Sequence, residues 1–465
     1  MHAPEAPDAP EAADAPEALE APSAVARLTL PDLYARQASY ASQNRWIGGE
    51  YERTVVRGDG RSVGYFEPDG IRWILGELQS RLGWAPYVEH SELGDHLIAL
   101  EAPRSEGGAT ITLEPGGQVE LSGRPHATLA ALDTEVRRNR AMLHDLSSGK
   151  DHHWLAIGLT PYAPIDSIAF VPKGRYAIMR EYLPKVGPLA HWMMKGTTSV
   201  QANFDYASEE DCARKFKVSL ALGPLNTAMF ANSPIAEGRL TGWRSFRSHI
   251  WTKTDPARTG FPAAVREGYT HRRWLDYLLD TPMMFLKLAG DWKAANGLTF
   301  RSWLENGPPD ANGRRQYPSM ADWELHQTSV FPEVRVKRTI EIRGADLVSL
   351  DLSVAFCALW HGLLYGALDD TATWVDAHQS GEPALAHEQA GRNGLSGQMW
   401  GHQTAELARE VVALGRVGLA RLGEDVDLLT PLADQVATGE SPADRLIRAW
   451  ERNPAPESFL REIAY

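Results

Sequence analysis

Four stretches of the chain place acid or amide side chains at every second position, with apolar residues or a turn between them. They are Glu50-Tyr51-Glu52, Glu114 followed by Gln118-Val119-Glu120, Gln201-Ala202-Asn203-Phe204-Asp205, and Thr339-Ile340-Glu341-Ile342-Arg343. Period two is the side-chain period of a β-strand, so each stretch turns its polar set to one face of a sheet. Any one of these glutamates alone reads as an exposed strand acid. Recurrence of the pattern points instead to a sheet face lined with carboxylates. Ionised carboxylates are too costly to bury unpaired, so such a face sits on metal ions or stays wet. The expectation is a magnesium-dependent enzyme.

The acids Glu50, Glu52, Glu114, Glu120 and Glu341 come from three regions of the chain, enough for more than one ion. Magnesium keeps several waters and commonly bridges carboxylates to substrate phosphates. The set therefore suits a nucleoside triphosphate whose terminal phosphoryl group is transferred. Basic residues fall nearby: Arg335, Lys337 and Arg343 follow the parity of Glu341 if the strand is regular, and Arg247 sits in a polar turn or loop. Guanidinium groups match carboxylate and phosphate oxygens in bidentate geometry, although ordinary salt bridges use them as well.

Other chemistries lack their signatures. No G-x-x-x-x-G-K-[ST] phosphate loop and no G-x-S-x-G elbow occurs, and Gly58-Asp59-Gly60 reads as a turn. His152-His153 reads as surface histidine, and the basic run Lys173 to Lys185 as a solvated helical face. The 465 residues carry a net charge of −13, of which residues 1–26 supply six acids and no Lys or Arg. The mildly acidic remainder argues against nucleic acid or an anionic membrane as partner. Two cysteines, Cys212 and Cys357, exclude a disulfide framework and fit a reducing cytoplasm. The apolar run Val354 to Leu368 is short for a membrane span and reads as a buried core helix.

Residues 1–26, built on Ala-Pro-Glu/Asp units, read as a disordered tail, and residues 27–465 as one catalytic domain. An apolar stripe at Ile71, Ile74, Leu75, Leu78 and Leu82 predicts a helix over 68–83. Thr110–Glu114 and Gln118–Ser122 predict a hairpin around Pro115-Gly116-Gly117, and Ser208 predicts a capped helix start. Residues 294–318, rich in Gly, Asn, Pro and Arg, read as a long loop or flap. From about residue 350 the pattern is helical, including one helix over Thr404–Leu422 and another opened by Ser441-Pro442. The fold class is α+β, an antiparallel sheet with surrounding helices and a helical C-terminal region.

Long collinear motifs then carry a resemblance. Pro172-Lys-Gly-Arg-Tyr176-Ala-Ile-Met-Arg180-Glu-Tyr-Leu-Pro-Lys-Val-Gly187, Ser199 to Asp205, Phe230-Ala-Asn-Ser-Pro234, Arg247-Ser-His-Ile-Trp-Thr252, Phe331 to Arg335 and Glu341 to Asp346 resemble glutamate–cysteine ligases of the plant and proteobacterial type. The resemblance spans roughly residues 28–465. It implies a glutamine-synthetase-like catalytic sheet that uses ATP and magnesium, with manganese as an alternative ion. The substrates implied are L-glutamate and L-cysteine. ATP would phosphorylate the glutamate γ-carboxylate, and the cysteine amine would then displace phosphate to give γ-glutamylcysteine.

Residue by residue, the resemblance makes Glu50, Glu52, Glu114, Glu120 and Glu341 the metal-binding acids. Gln201 and Asn203 become substrate contacts, Arg247 the holder of the glutamate carboxylate, and Arg343 the group that stabilises the transferring phosphoryl charge. Arg335 and Lys337 accompany Arg343 at the nucleotide. A monomer or homodimer is expected. Plant members are switched by regulatory cysteine pairs, which two cysteines in all cannot supply. Two alternatives stay open: a related γ-glutamyl ligase with another amine, including one serving ergothioneine synthesis, and a silent relative that binds glutamate or nucleotide.

Overall fold

The alternation in the sequence becomes one large antiparallel sheet. A computed structural model describes residues 27–465 apart from 92–93, 266, 289 and 310–312. The expected disordered tail lies outside the described residues. The sheet is built from β1 (Ile47–Arg53), β2 (Ala85–Ser91), β3 (Gly94–Glu101), β4 (Thr110–Leu113), β5 (Val119–Ser122), β6 (Ser199–Phe204), β7 (Val334–Val336) and β8 (Ile340–Asp346). Their spatial order is β7-β8-β6-β1-β5-β4-β3-β2, with every neighbouring pair antiparallel.

One face of the sheet is sealed by helices. Tyr51, Val200, Ala202, Ile340 and Ile342 are all buried on it. Tyr51 brings its hydroxyl 3.7 Å from the Cys357 thiol, on a helix (Leu350–His361) in which every residue but Asp351 is buried. Such an all-round apolar helix belongs in a core. Because the strand period is two, Glu50 and Glu52 then face the opposite side.

The core helix bends after His361 through a π-helical turn, Gly362–Gly366, before Leu368–His378 continues at 99°. The bend crosses the helix Thr404–Leu422 at a glycine contact, where a Cβ on Gly418 would stand 2.0 Å from the Gly362 carbonyl oxygen. No single helix among the described residues is long and apolar enough to cross a membrane.

Most predicted elements form with small boundary shifts. The helix Ile71–Leu82 ends on left-handed Gly83, the hairpin pairs β4 with β5, and Ser208 caps Glu209–Met229 by accepting from the Asp211 amide at 3.1 Å. Helix Pro442–Arg452 opens with a Ser441/Asp444 capping box.

Three expectations are corrected. The 294–318 stretch contains a helix, Phe300–Asn306, because Phe300, Trp303 and Leu304 bury one helical face and Thr299 caps it. His152 is buried and bonds the Asp69 carbonyl at 2.9 Å, while only its neighbour His153 stays half exposed. Lys173, read as part of a solvated face, is buried too.

Candidate active site

Strand register assembles the polar face. Glu50 lies opposite Gln201 on one side and Ser122 on the other, Glu52 lies opposite Glu120, and Asn203 lies opposite Glu341 and Gly48. Glu114 follows β4 in the turn that leads to β5. The five predicted acids therefore share one face across β8, β6, β1, β5 and the adjoining turn.

The amides join neighbouring strands. Gln201 donates to Glu52 at 3.0 Å and to the Ser199 hydroxyl at 3.0 Å, while its oxygen accepts from Arg343 at 2.6 Å. Asn203 donates to Glu50 at 2.8 Å and accepts from the Thr339 hydroxyl at 2.8 Å. Thr112, which the alternation pattern does not single out, donates to Glu120 at 2.6 Å. Gln118 faces the turn, bonding the Thr197 carbonyl at 2.9 Å and the Gly116 amide at 2.9 Å.

The acids divide electrostatically into two groups. Burial, then Glu341 and Glu120, push the Glu50 carboxyl up to about 8. Burial, then Glu114 and Glu120, push Glu52 up to about 8 as well. Glu120 is raised by burial and by Glu114. Glu50 and Glu52 therefore lack enough positive charge nearby to stay fully ionised at neutral pH.

Glu341 behaves oppositely. Burial would raise it, but Arg335, Arg343 and Lys337 overcome that and hold it at about 2. Arg335 grips it in a bidentate pair at 2.8 and 3.0 Å, and Arg343 hydrogen-bonds to the same carboxylate. The remaining Arg335 nitrogen reaches the Val330 carbonyl at 3.1 Å and the Thr328 carbonyl at 3.3 Å. Arg335 therefore anchors Glu341, and the structure does not hold it open toward a nucleotide. Burial, followed by Arg335, lowers Lys337 to about 8.

A bulge in β8 completes the site. Register shifts between Ile342 and Ala345, so Arg343 and Gly344 together oppose Gln201. Arg343 still reaches Glu341 and Gln201, while parity beyond the bulge is reversed and Asp346 comes opposite Ser199. A regular strand would have put Asp346 on the other face. Arg247, second residue of the helix Phe246–Thr252, is buried beside it. It donates to the Arg343 carbonyl at 3.1 Å, and its Nε is buried without a hydrogen-bond partner among the described residues.

Among the described residues no three Asp, Glu, His or Cys side chains converge into a ready-made metal cage. The donor chemistry nevertheless fits magnesium, which usually takes one or two carboxylates and completes its shell with water and substrate phosphate. Glu50, Glu52 and Glu120, with Glu114 beside them, offer carboxyl oxygens whose charge a cation would balance. Glu341 is already balanced by arginine, which sets it apart from Glu50, Glu52 and Glu120.

A family described as "Glutamate-cysteine ligase family 2 (GCS2)" matches residues 47–462. Chloroplastic glutamate–cysteine ligase of Brassica juncea is 37% identical over 461 residues, covering 95% of this chain and 85% of the relative. The chloroplastic enzyme of Arabidopsis thaliana is also 37% identical, covering 95% and 84%. In fold, the chain is similar to the glutamate–cysteine ligase of Francisella tularensis solved in complex with AMP. That comparison has a TM-score of 0.56 and 14% identity, and covers 90% of this chain and 88% of that one. The expected cytoplasmic location is overturned by these relatives, whose names point to a plastid. Cys212 and Cys357 are both free and buried, a property that does not single out the cytoplasm.

Proposed function

The chain belongs to glutamate–cysteine ligase family 2 and is a ligase, and we propose that it joins the γ-carboxylate of L-glutamate to the amine of L-cysteine at the expense of ATP. The observation that carries this reading is the cluster of under-compensated carboxyls on one sheet face, with two arginines at its edge. A carboxylate is a poor electrophile. Phosphorylation gives it a leaving group, and the attacking amine then expels phosphate as the amide bond forms.

Catalysis on such a face rests on positioning and electrostatics, with no protein nucleophile. Glu50, Glu52, Glu114 and Glu120 are the residues that would hold magnesium, with Glu341 at the border of the set. When bound, the ion would offset phosphate charge and polarise the transferring group. Gln201 and Asn203 fix the rotamers of Glu52 and Glu50 by direct hydrogen bonds. Arg343, tethered by Glu341 and Gln201, directs positive charge toward the transferring phosphoryl group. Lys337 adds a second cation near Glu50 and Glu341, suited to a nucleotide phosphate. The unpartnered Nε of Arg247 is a donor available to the carboxylate of glutamate.

The test is ADP release with magnesium and glutamate, comparing cysteine with a panel of other amines and identifying the product by mass. Cysteine-dependent release with γ-glutamylcysteine formed is the expected result. Preference for another amine would keep the mechanism and change the acceptor. Absence of turnover with every amine would refute the enzymatic reading.

A further inference from the structure

The motif Phe230-Ala-Asn-Ser-Pro234 has no role in the site described so far, yet it packs directly behind Arg247. The link between them is Asp346, the last residue of β8, only 1% exposed. Its Oδ2 accepts from the Asn232 amide at 2.7 Å and from the Ser233 hydroxyl at 2.7 Å, and its Oδ1 accepts from the Ser245 hydroxyl at 2.8 Å. The Arg247 guanidinium lies 3.9 Å from the same Oδ1.

We propose that Asp346 is the positioning residue that aims Arg247 at the substrate, a proposal that rests on Arg247 being a substrate contact. The carboxylate ties together both ends of the segment running from residue 232 to residue 247. At one end, the Ser233 hydroxyl that donates to Asp346 also accepts from the Arg247 amide at 3.0 Å. At the other, the Ser245 hydroxyl caps the Arg247 helix by accepting from the Ser248 amide at 3.1 Å. Arg247 is thus fixed through its own backbone, through its helix cap and through the charge opposite it.

The carboxylate itself cannot swing away. Gly158 packs so closely that a Cβ there would stand 2.5 Å from both the Cβ and the Cγ of Asp346. Arginine loses much rotamer freedom when it is held, so a pre-set guanidinium binds an anion with less ordering at the moment of contact. The 3.9 Å separation matters as well. Asp346 orients the guanidinium by charge without occupying its Nε, which has no hydrogen-bond partner among the described residues. Asp346 is a positioning residue, because its carboxylate is taken up by hydrogen bonds from residues 232, 233 and 245 and acts through Arg247.

The test is steady-state kinetics of Asp346→Asn, Arg247→Lys and the double variant, varying glutamate and ATP separately. Residues sharing one network couple strongly, so Asp346→Asn should raise the glutamate KM on the order of tenfold while leaving the ATP KM within about twofold. In the Arg247→Lys background the same change should add less than about twofold. Additive effects, an equal rise in both KM values, or an unchanged glutamate KM would overturn the proposal. Should Asp346→Asn fail to fold, Ser245→Ala removes one donor and keeps the carboxylate. Its glutamate KM should rise selectively by about two- to fivefold, and no selective rise would overturn the proposal. Wild-type protein without glutamate-dependent ADP release would instead overturn the functional reading and this proposal with it. A normal wild-type profile confines any failure to Asp346.

Discussion

If Glu50 and Glu52 hold a divalent cation, binding that cation must displace protons. Burial and neighbouring carboxyls raise both groups to about 8, so near pH 7 without metal each keeps most of a proton. Magnesium needs the ionised forms, and a full complement would release close to two protons. The two sites interact, so between one and two is the expected number. The assay is calorimetric titration of magnesium into protein saturated with ADP, repeated at pH 7 in buffers of different ionisation enthalpy. The same titration into ADP alone is subtracted. The slope of observed heat against buffer enthalpy gives the proton number, and Glu50→Gln should lower it by about one.

A stability arm follows from the same shifts. A carboxyl raised in the folded state binds more protons folded than unfolded between its ordinary value and its raised one. Metal-free stability from these groups is therefore fully present below about 4.5 and is lost as pH rises through about 8. The limiting slope is about 1.4 kcal/mol per pH unit for each group. Magnesium should flatten that decline. Magnesium binding with no proton release in any buffer, unaltered by Glu50→Gln, would refute the assignment of these carboxyls.

Further predictions concern single side chains. Glu120→Ala should lower kcat at least about a hundredfold while the melting temperature holds within a few degrees, because the change also relieves crowding among like charges. Near-normal turnover would remove Glu120 from the site. Arg335→Met strips Glu341 of its bidentate partner and should cost about 3–5 kcal/mol in denaturant unfolding, partly recovered by adding Glu341→Gln. Gly418→Ala forces a Cβ into the Gly362 carbonyl and should destabilise by about 1–3 kcal/mol. Deleting residues 1–26 should leave kcat and both KM values unchanged, as an activity assay on the shortened chain can check.

The acid face was legible because strand parity is a local property. Glu50, Glu52, Glu120, Gln201, Asn203 and Glu341 needed only alternation to share a face, and the Pro115-Gly116-Gly117 turn supplied the hairpin. Parity gives a face but not a partner. That Arg335 would clamp Glu341, leaving Glu50, Glu52 and Glu120 under-compensated, follows from the β7–β8 register, which alternation does not report. The bulge at Arg343 and Gly344 defeats parity outright, so alternation alone does not bring Asp346 to the site. Its Gly344 was a weak cue, since glycine inside a strand often marks a bulge. The helix at Phe300–Asn306 was hidden by the glycines, prolines and asparagines around it, although the spacing of Phe300, Trp303 and Leu304 was available.

The central claim, that this ligase activates a carboxylate by phosphorylating it, is tested most directly by following an oxygen atom. Glutamate carrying oxygen-18 in its γ-carboxylate is turned over with ATP, magnesium and cysteine, and the released phosphate is analysed by mass. Attack of the carboxylate on the terminal phosphorus, followed by displacement at carbon, leaves one glutamate oxygen on the departing phosphate and one in the amide. The account predicts one labelled oxygen in each phosphate released. Unlabelled phosphate accompanying amide formation would contradict it.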